Sequence, residues 1–322
     1  MTTASTAAAR RISYQLETLW DYDYVPTHHE LESLYETAKK NQWNGSTALD
    51  WSRSVGKEGP VLNVQMAFAG CPSFEGKSDA EWKDIETLVS SWRLSQFLHG
   101  EQGALMVAAQ LVNSVPDLDA KLYASTQVVD EGRHVEVFEK YVKKLHKIYP
   151  VDPLLKALID EILSTDMWQL KLLGMQLLIE GLAIAAFNVM AKQTGDRTLG
   201  DLLDYVLQDE GRHVNFGYFA LRRSIPELPE ARRQDLEDFA LRACDAMYGR
   251  DERTGFMSIK HAYAELGYKD PDAVYAEVLA TSMTMKMFNR FLFTEVLIPR
   301  LQRLGLISDR VAPRYREIGL IE

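Results

Sequence analysis

Apolar residues recur at helical spacing along nearly the whole chain, while runs of alternating Val, Ile and Thr bounded by turns are scarce. The pattern predicts an all-α protein with helices at about 10–20, 28–41, 79–113, 118–148, 153–194, 198–223, 229–249, 256–266 and 271–304. Pro116, Pro150 with Pro153, Gly195, Pro226 with Pro229, and Pro271 mark the breaks between them. Between Asn44 and Pro72 six glycines and prolines interrupt any periodicity, so this stretch reads as an irregular connection packed over the helices. No linker-like or low-complexity segment divides the chain, and one domain is expected across residues 1–322.

One predicted helix is apolar on every side. Leu172 to Ala191 is about as long as a bilayer is thick. Glu180 stands in its middle, however, with Gln176 and Asn188 nearby, and a carboxylate at that depth is costly in lipid. The alternative, the central helix of a soluble bundle, accounts for the same pattern.

The hexapeptide Asp-Glu-Gly-Arg-His-Val occurs twice, at Asp130–Val135 and at Asp209–Val214, 79 residues apart. The same offset joins Glu101 to Glu180, and both of these lie in apolar surroundings. Helix rise tests what this repeat builds. From Glu101 to the turn near Asn113 is roughly 18 Å, and from Leu118 back to Glu131 is roughly 20 Å, so the chain climbs and returns to one level. The second half does likewise from Glu180 to Glu210. Two helix hairpins then bring Glu101, Glu131, His134, Glu180, Glu210 and His213 to one layer of a four-helix bundle.

Charge decides what fills that layer. Four carboxylates carry −4, an isolated buried ion costs tens of kcal/mol on a Born estimate, and two divalent cations cancel the charge. Neutral imidazoles complete an oxygen-rich, sulfur-free donor set that suits iron or manganese. Around it, Asp130 and Asp209 balance Arg133 and Arg212. Each aspartate should take the outer ring N–H of the histidine on the other repeat, giving the crossed pairs Asp209–His134 and Asp130–His213.

Composition narrows the partners. Acids outnumber bases 46 to 36, for a net charge of −10, so nucleic acid and anionic membrane surfaces are poor partners. Two cysteines, Cys71 and Cys244, give neither a disulfide framework nor a thiolate metal site, and the start of the chain lacks the apolar run of a secretory signal; a cytoplasmic location fits.

The order Glu, Glu-x-x-His, Glu, Glu-x-x-His resembles the ferritin-like di-iron carboxylate superfamily over about residues 79–223. The Asp-Glu-x-Arg-His form of both repeats is most similar to hydroxylase subunits of bacterial multicomponent monooxygenases. The resemblance implies a ferritin-like four-helix bundle with internal duplication and additional flanking helices. It implies two iron ions, with manganese an alternative, and a non-haem oxygenase or oxidase that activates O2 against a small organic substrate. Hydroxylation, N-oxygenation and desaturation all fit. It also implies an external electron donor, a ferredoxin or reductase, and a homodimer is an assembly to test for.

Departures narrow the likeness. Phe138 stands where ribonucleotide reductase small subunits place a radical tyrosine. Gly103 and Met175 replace the valine and tyrosine that related ligand-binding oxidases crosslink, Val206 replaces the extra histidine of arylamine N-oxygenases, and Ile184 replaces the threonine of methane and toluene hydroxylases. The remaining histidines, His28, His29, His99, His146 and His261, read as surface or structural residues, and Met283, Met285 and Met287 as packing residues. Phe97, Leu98, Gly103, Ala104, Met175, Ala183 and Phe187 are expected to line the substrate pocket. Gly100, Gly103, Gly174 and Gly181 either leave room beside the metals or let helices approach closely. Two rivals to the oxygenase reading are a ferritin-like iron-handling ferroxidase and a dimanganese catalase-like enzyme. Roughly 80 residues before the bundle and nearly 100 after it argue against simple storage.

Overall fold

The computed structural model describes residues 12–13, 17–22, 24–57, 59–249 and 255–322, and among them there are helices and no strands. The helices are α1 (His29–Lys40), α2 (Val64–Ala67), α3 (Asp79–Ser114), α4 (Leu118–Leu145), α5 (Pro153–Ser164), α6 (Trp168–Gln193), α7 (Arg197–Ser224), α8 (Glu230–Met247), α9 (Lys260–Glu265), α10 (Pro271–Thr281), α11 (Met283–Phe291), α12 (Ile298–Arg303) and α13 (Ala312–Glu317). Helices α3 and α4 pair as one long hairpin, α6 and α7 as a second, and α4 packs on α7 where the hairpins meet. The result is a four-helix bundle flanked by α1 and the C-terminal helices.

Local chemistry fixes the ends of these helices. Ser78 and Glu81 form a reciprocal capping box at the start of α3, satisfying two backbone N–H groups that a helix leaves open. Asp152 caps α5, with Pro153 at its first position, and Asp196 caps α7 by accepting the Leu199 N–H at 3.0 Å.

The structure divides two helices that the periodicity runs together. The stretch 153–194 breaks at Thr165, which is extended, and whose Oγ1 takes the Met167 N–H at 3.1 Å in place of a helical carbonyl. The stretch 271–304 breaks at Ser282, whose Oγ accepts the Met285 N–H at 3.2 Å and restarts the helix as α11. Of the helix expected at 10–20, residues 17–20 are not helical and most of the rest lie outside the described residues. The Asn44–Pro72 connection contains the single turn α2 and lies against both α3 and α11.

Helix α6 passes the length and composition test for a membrane span, yet 56% of its most apolar window is buried inside the protein. Two features place it in the bundle. Lys171 is fully buried and its Nζ donates to Gln110 Oε1 at 2.6 Å and to Ile162 O at 2.9 Å. The turns from Leu173 to Ile179 are π-helical, a wider winding that ends at Glu180, and such segments frequently mark functional sites.

The core has two apolar clusters with a polar layer between them. Along α4, Tyr123 and Ala124 belong to one cluster and Val137 and Phe138 to the other; along α7, Phe216 and Leu221 belong to the first and Leu202 and Val206 to the second. Gln127, Asp130, Glu131, His134, Asp209, Glu210 and His213 fill the gap, all buried.

The glycines divide by role. A Cβ on Gly174 would lie 2.6 Å from Ile162 Cγ1 and 3.0 Å from Phe239 Cζ, and one on Gly103 would lie 2.8 Å from Ile159 Cδ1, so both serve close packing on α5. Gly181 is pressed against Arg300, whereas Gly100 faces open space. Gly174→Val should therefore destabilise the fold by about 1–3 kcal/mol through overpacking. Gly100→Ala should be neutral or stabilising by up to about 1 kcal/mol from helix propensity. Chemical denaturation of the two variants checks the contrast, and equal effects would contradict it.

Candidate metal centre

Each of the four bundle helices delivers one glutamate to the polar layer: Glu101 from α3, Glu131 from α4, Glu180 from α6 and Glu210 from α7. The histidines lie one turn after the second and fourth, so each shares a helix face with a glutamate. Glu101, Glu131, His134 and Glu210 each offer one atom to a group spanning no more than 4.8 Å, and Glu131, Glu180 and His213 form a second such group. Glu131 belongs to both. The six residues that the repeat singles out therefore meet at two adjoining positions.

Both imidazoles are oriented the same way. His134 Nδ1 lies 3.2 Å from Glu101 Oε2 and from Glu210 Oε1, and His213 Nδ1 lies 3.0 Å from Glu131 Oε1. The opposite ring nitrogens face the aspartates: His134 Nε2 is 3.2 Å from Asp209 Oδ2, and His213 Nε2 is 3.3 Å from Asp130 Oδ2. The crossing comes from the antiparallel packing of α4 against α7, which sets each aspartate beside the other helix's histidine. Arg133 donates to both Asp130 and Asp209, and Arg212 donates to the same two, at 3.0 Å and 2.5 Å.

Several residues of this network lie outside the repeat. Gln127 Nε2 donates to Glu131 Oε1 and to Glu180 Oε1, each at 3.1 Å. Its place four residues before Glu131 was a usable signal, because i and i+4 share a helix face. Trp43 Nε1 donates to Asp209 Oδ2 at 2.8 Å, and Gln42 bridges Asp130 and Arg133. Nothing in the sequence points to these two, since they lie just after α1, far from either repeat.

The electrostatics show what the layer needs. Burial pushes the Glu101 carboxyl up to about 8, with Glu210 adding to the effect, and burial likewise holds Glu180 well above the usual carboxylate range. For Glu131 burial acts in the same sense, but His213 and His134 outweigh it and hold the carboxyl below its ordinary value. Burial disfavours a charged His134 or His213; the surrounding carboxylates overcome it and raise both well above the ordinary imidazole value. Protons thus neutralise the layer in a chain without metal. Two divalent cations can replace them.

The unpaired atoms of the layer fit that replacement. Glu131 Oε2, Glu180 Oε2, both oxygens of Glu210 and Nδ1 of His213 are buried without a hydrogen-bond partner, and unpaired buried polar atoms are expensive. They all belong to the two groups described above. The donor set is oxygen-rich with two imidazoles and no sulfur, which suits iron and manganese.

A cavity of about 380 Å3 reaches this layer, with Glu101, Glu180 and Glu210 in its wall. Of the expected pocket residues, Phe97, Ala104, Met175 and Ala183 line it. Leu98, Gly103 and Phe187 do not, which corrects that expectation. Leu98 and Phe187 are spent in the core, where Phe187 packs on Phe97 at 4.6 Å and Phe138 at 5.7 Å between ring centres, and Gly103 faces Ile159. Much of the far wall comes from beyond the bundle, including Phe256, Phe288, Leu292 and Phe293. Of the methionine run only Met285 lines the cavity, and Met283 and Met287 point outward, contrary to a packing role for all three. His99 binds the Tyr149 carbonyl at 2.9 Å, away from the layer, and His28 is buried 3.0 Å from Asp117.

No protein-family model and no curated protein matches the chain. Solved structures do. A single-residue variant of an R2-like ligand-binding oxidase with an aerobically reconstituted Mn/Fe cofactor aligns with a TM-score of 0.52 at 19% identity, covering 87% of this chain and 94% of that one. An R2-like ligand-binding oxidase with an aerobically reconstituted metal cofactor after photoconversion gives 0.50 at 19%, with the same coverage. A second variant, with an anaerobically reconstituted Mn/Fe cofactor, gives 0.50 at 20%, again covering 87% and 94%. At this identity the likeness establishes the ferritin-like fold.

Glu101, Glu180, His134 and His213 all hold protons more tightly in the folded chain than their ordinary values imply. Their stabilisation is complete at low pH and vanishes as pH rises through the folded values, which for Glu101 is about 8. Chelator-treated protein should therefore melt at progressively lower temperature between about pH 6 and about pH 9, where the folded chain binds more protons than the unfolded one. Thermal unfolding across that window checks this, and a Tm that stays flat or climbs would contradict it.

Proposed function

We propose that this chain is a non-haem dimetal oxidoreductase that uses O2 to oxidise a small, mostly apolar organic molecule. The metals are two iron ions, with manganese able to take a place. Glu101, Glu131, His134 and Glu210 would hold one ion, and Glu131, Glu180 and His213 the other. When bound, such a pair supplies the electrons and the oxygen chemistry.

The chain's own residues do the rest. Asp130 and Asp209 accept the outer N–H of His213 and His134, fixing which ring nitrogen faces the metal. His213 and His134, with Arg212 adding to them, outweigh burial and hold Asp130 and Asp209 below the ordinary carboxylate range, and Arg133 donates to both. Gln127 holds Glu131 and Glu180 in place from one side, and the apolar clusters exclude water from the layer. A monooxygenase outcome requires two further electrons, so a ferredoxin or reductase would serve as donor. Hydroxylation, N-oxygenation and desaturation are each compatible with the site.

The observation that carries this reading is the apolar cavity of about 380 Å3 opening on Glu101, Glu180 and Glu210. It falls within the usual range for small-molecule sites, about 300–1,000 Å3. An iron store needs no organic-sized chamber against its metals, and the residues after the bundle find their use as its far wall.

Iron-loaded protein should therefore consume O2 in a substrate-dependent manner when screened against small apolar acids, amines and aromatics. Ala183 lies three residues after Glu180 and lines the cavity, so Ala183→Trp should fill it. Substrate-dependent uptake should fall by about 10-fold or more while the metal content stays unchanged. Uptake without substrate dependence, accompanied by mineral cores and a cage on size exclusion, would favour iron handling instead.

A further inference from the structure

Arg93 lies eight residues before Glu101 on α3, on the same face of the helix, and like Glu101 it lines the cavity. The separation along the helix axis is about 12 Å. Arg133 and Arg212, beside the carboxylate layer, are tied to Asp130 and Asp209. Arg93 has no hydrogen bond or ion pair with any described residue, and desolvation lowers its proton affinity. Arg93 is half-buried, so its guanidinium lines the cavity with five donors that no protein carboxylate occupies.

A second group points the same way. Tyr263 on α9 is fully buried, its hydroxyl has no hydrogen-bond partner, and it lines the same cavity. Arg93 and Tyr263 are close enough for the charge of each to act on the other. Most of the remaining wall is apolar, with Phe97, Gly100, Ile179 and Met190 in it, although Gln96 and Gln193 also line it. The cavity thus has a cationic donor-rich end, an apolar middle and a candidate metal end.

We propose that Arg93 and the Tyr263 hydroxyl form an anchor for the carboxylate of the substrate, which is an acid whose apolar body reaches from this anchor to the Glu101 and Glu180 end of the cavity. This rests on the oxidase reading for the word substrate; the anchor itself rests on the cavity alone. The acid group is held away from the candidate metals, which leaves the distal part of the molecule facing them. Arginine suits this task through its paired donors, and the tyrosine O–H adds a third contact to the same oxygens.

Calorimetric titration of metal-free and iron-loaded protein with phenylbutyrate, phenylbutanol and phenylbutylamine tests the anchor. Phenylbutyrate should bind about 10-fold or more tightly than the alcohol in both preparations, since a hydrogen-bonded charge pair is worth more than a neutral contact. The amine should bind most weakly. Arg93→Gln should abolish the preference for the acid while leaving the alcohol's affinity unchanged, and Arg93→Lys should restore part of it. Tyr263→Phe, which removes only an unpartnered hydroxyl, should weaken the acid and spare the alcohol, and it serves if Arg93→Gln fails to fold. An acid preference that appears only with metal, or that survives both Arg93→Gln and Tyr263→Phe, would overturn the proposal by placing the carboxylate elsewhere. If the preference follows Arg93 while the chain consumes no O2, the anchor stands and the oxidase reading falls.

Discussion

Four glutamates share one buried layer, and the rest of the structure is arranged around the need to neutralise them. The cost of burying that much like charge is large enough that it must be cancelled locally. Protons on Glu101, Glu180 and the two imidazoles can do so in a metal-free chain, as their raised proton affinities show. Two divalent cations supply the same charge and also satisfy the carboxylate oxygens left without partners. The Asp130, Asp209, Arg133 and Arg212 network is neutral by itself, so it orients the histidines without disturbing the balance inside.

This layer also explains the helices. Side chains of charged residues can meet only if four helices bring them to one height, so the hairpin turns near Val115 and Thr194 lie where helix rise requires. The π-helical stretch before Glu180 belongs to the one bundle helix without a histidine of its own that also contains a mid-helix winding change at the site. Above and below, the apolar clusters separate the layer from solvent, which strengthens every charge interaction inside it.

The bundle and the six candidate ligands were legible in the sequence because the duplication prints them twice at a fixed offset. A repeated hexapeptide and a matching glutamate pair need no tertiary information to be noticed. The breaks at Thr165 and Ser282 were not legible, since each depends on a side-chain oxygen capturing a nearby backbone N–H while apolar periodicity continues past it. Trp43 and Gln42 were invisible for a different reason: they follow the end of α1, with no periodicity or repeat to mark them. The cavity was only half readable. Helical spacing names the residues near a glutamate, but Leu98, Gly103 and Phe187 turned to neighbouring helices, and the wall supplied by α8, α10 and α11 could not be placed before the chain was folded.

The central claim is that the carboxylate layer holds two metal ions, and metal analysis after anaerobic loading with ferrous iron tests it most directly. The account predicts about two ions per chain, because two divalent charges balance four glutamates, and fewer in Glu131→Ala, which removes the residue shared by both groups. One ion or none in the native chain, with Glu131→Ala unchanged from it, would contradict the claim.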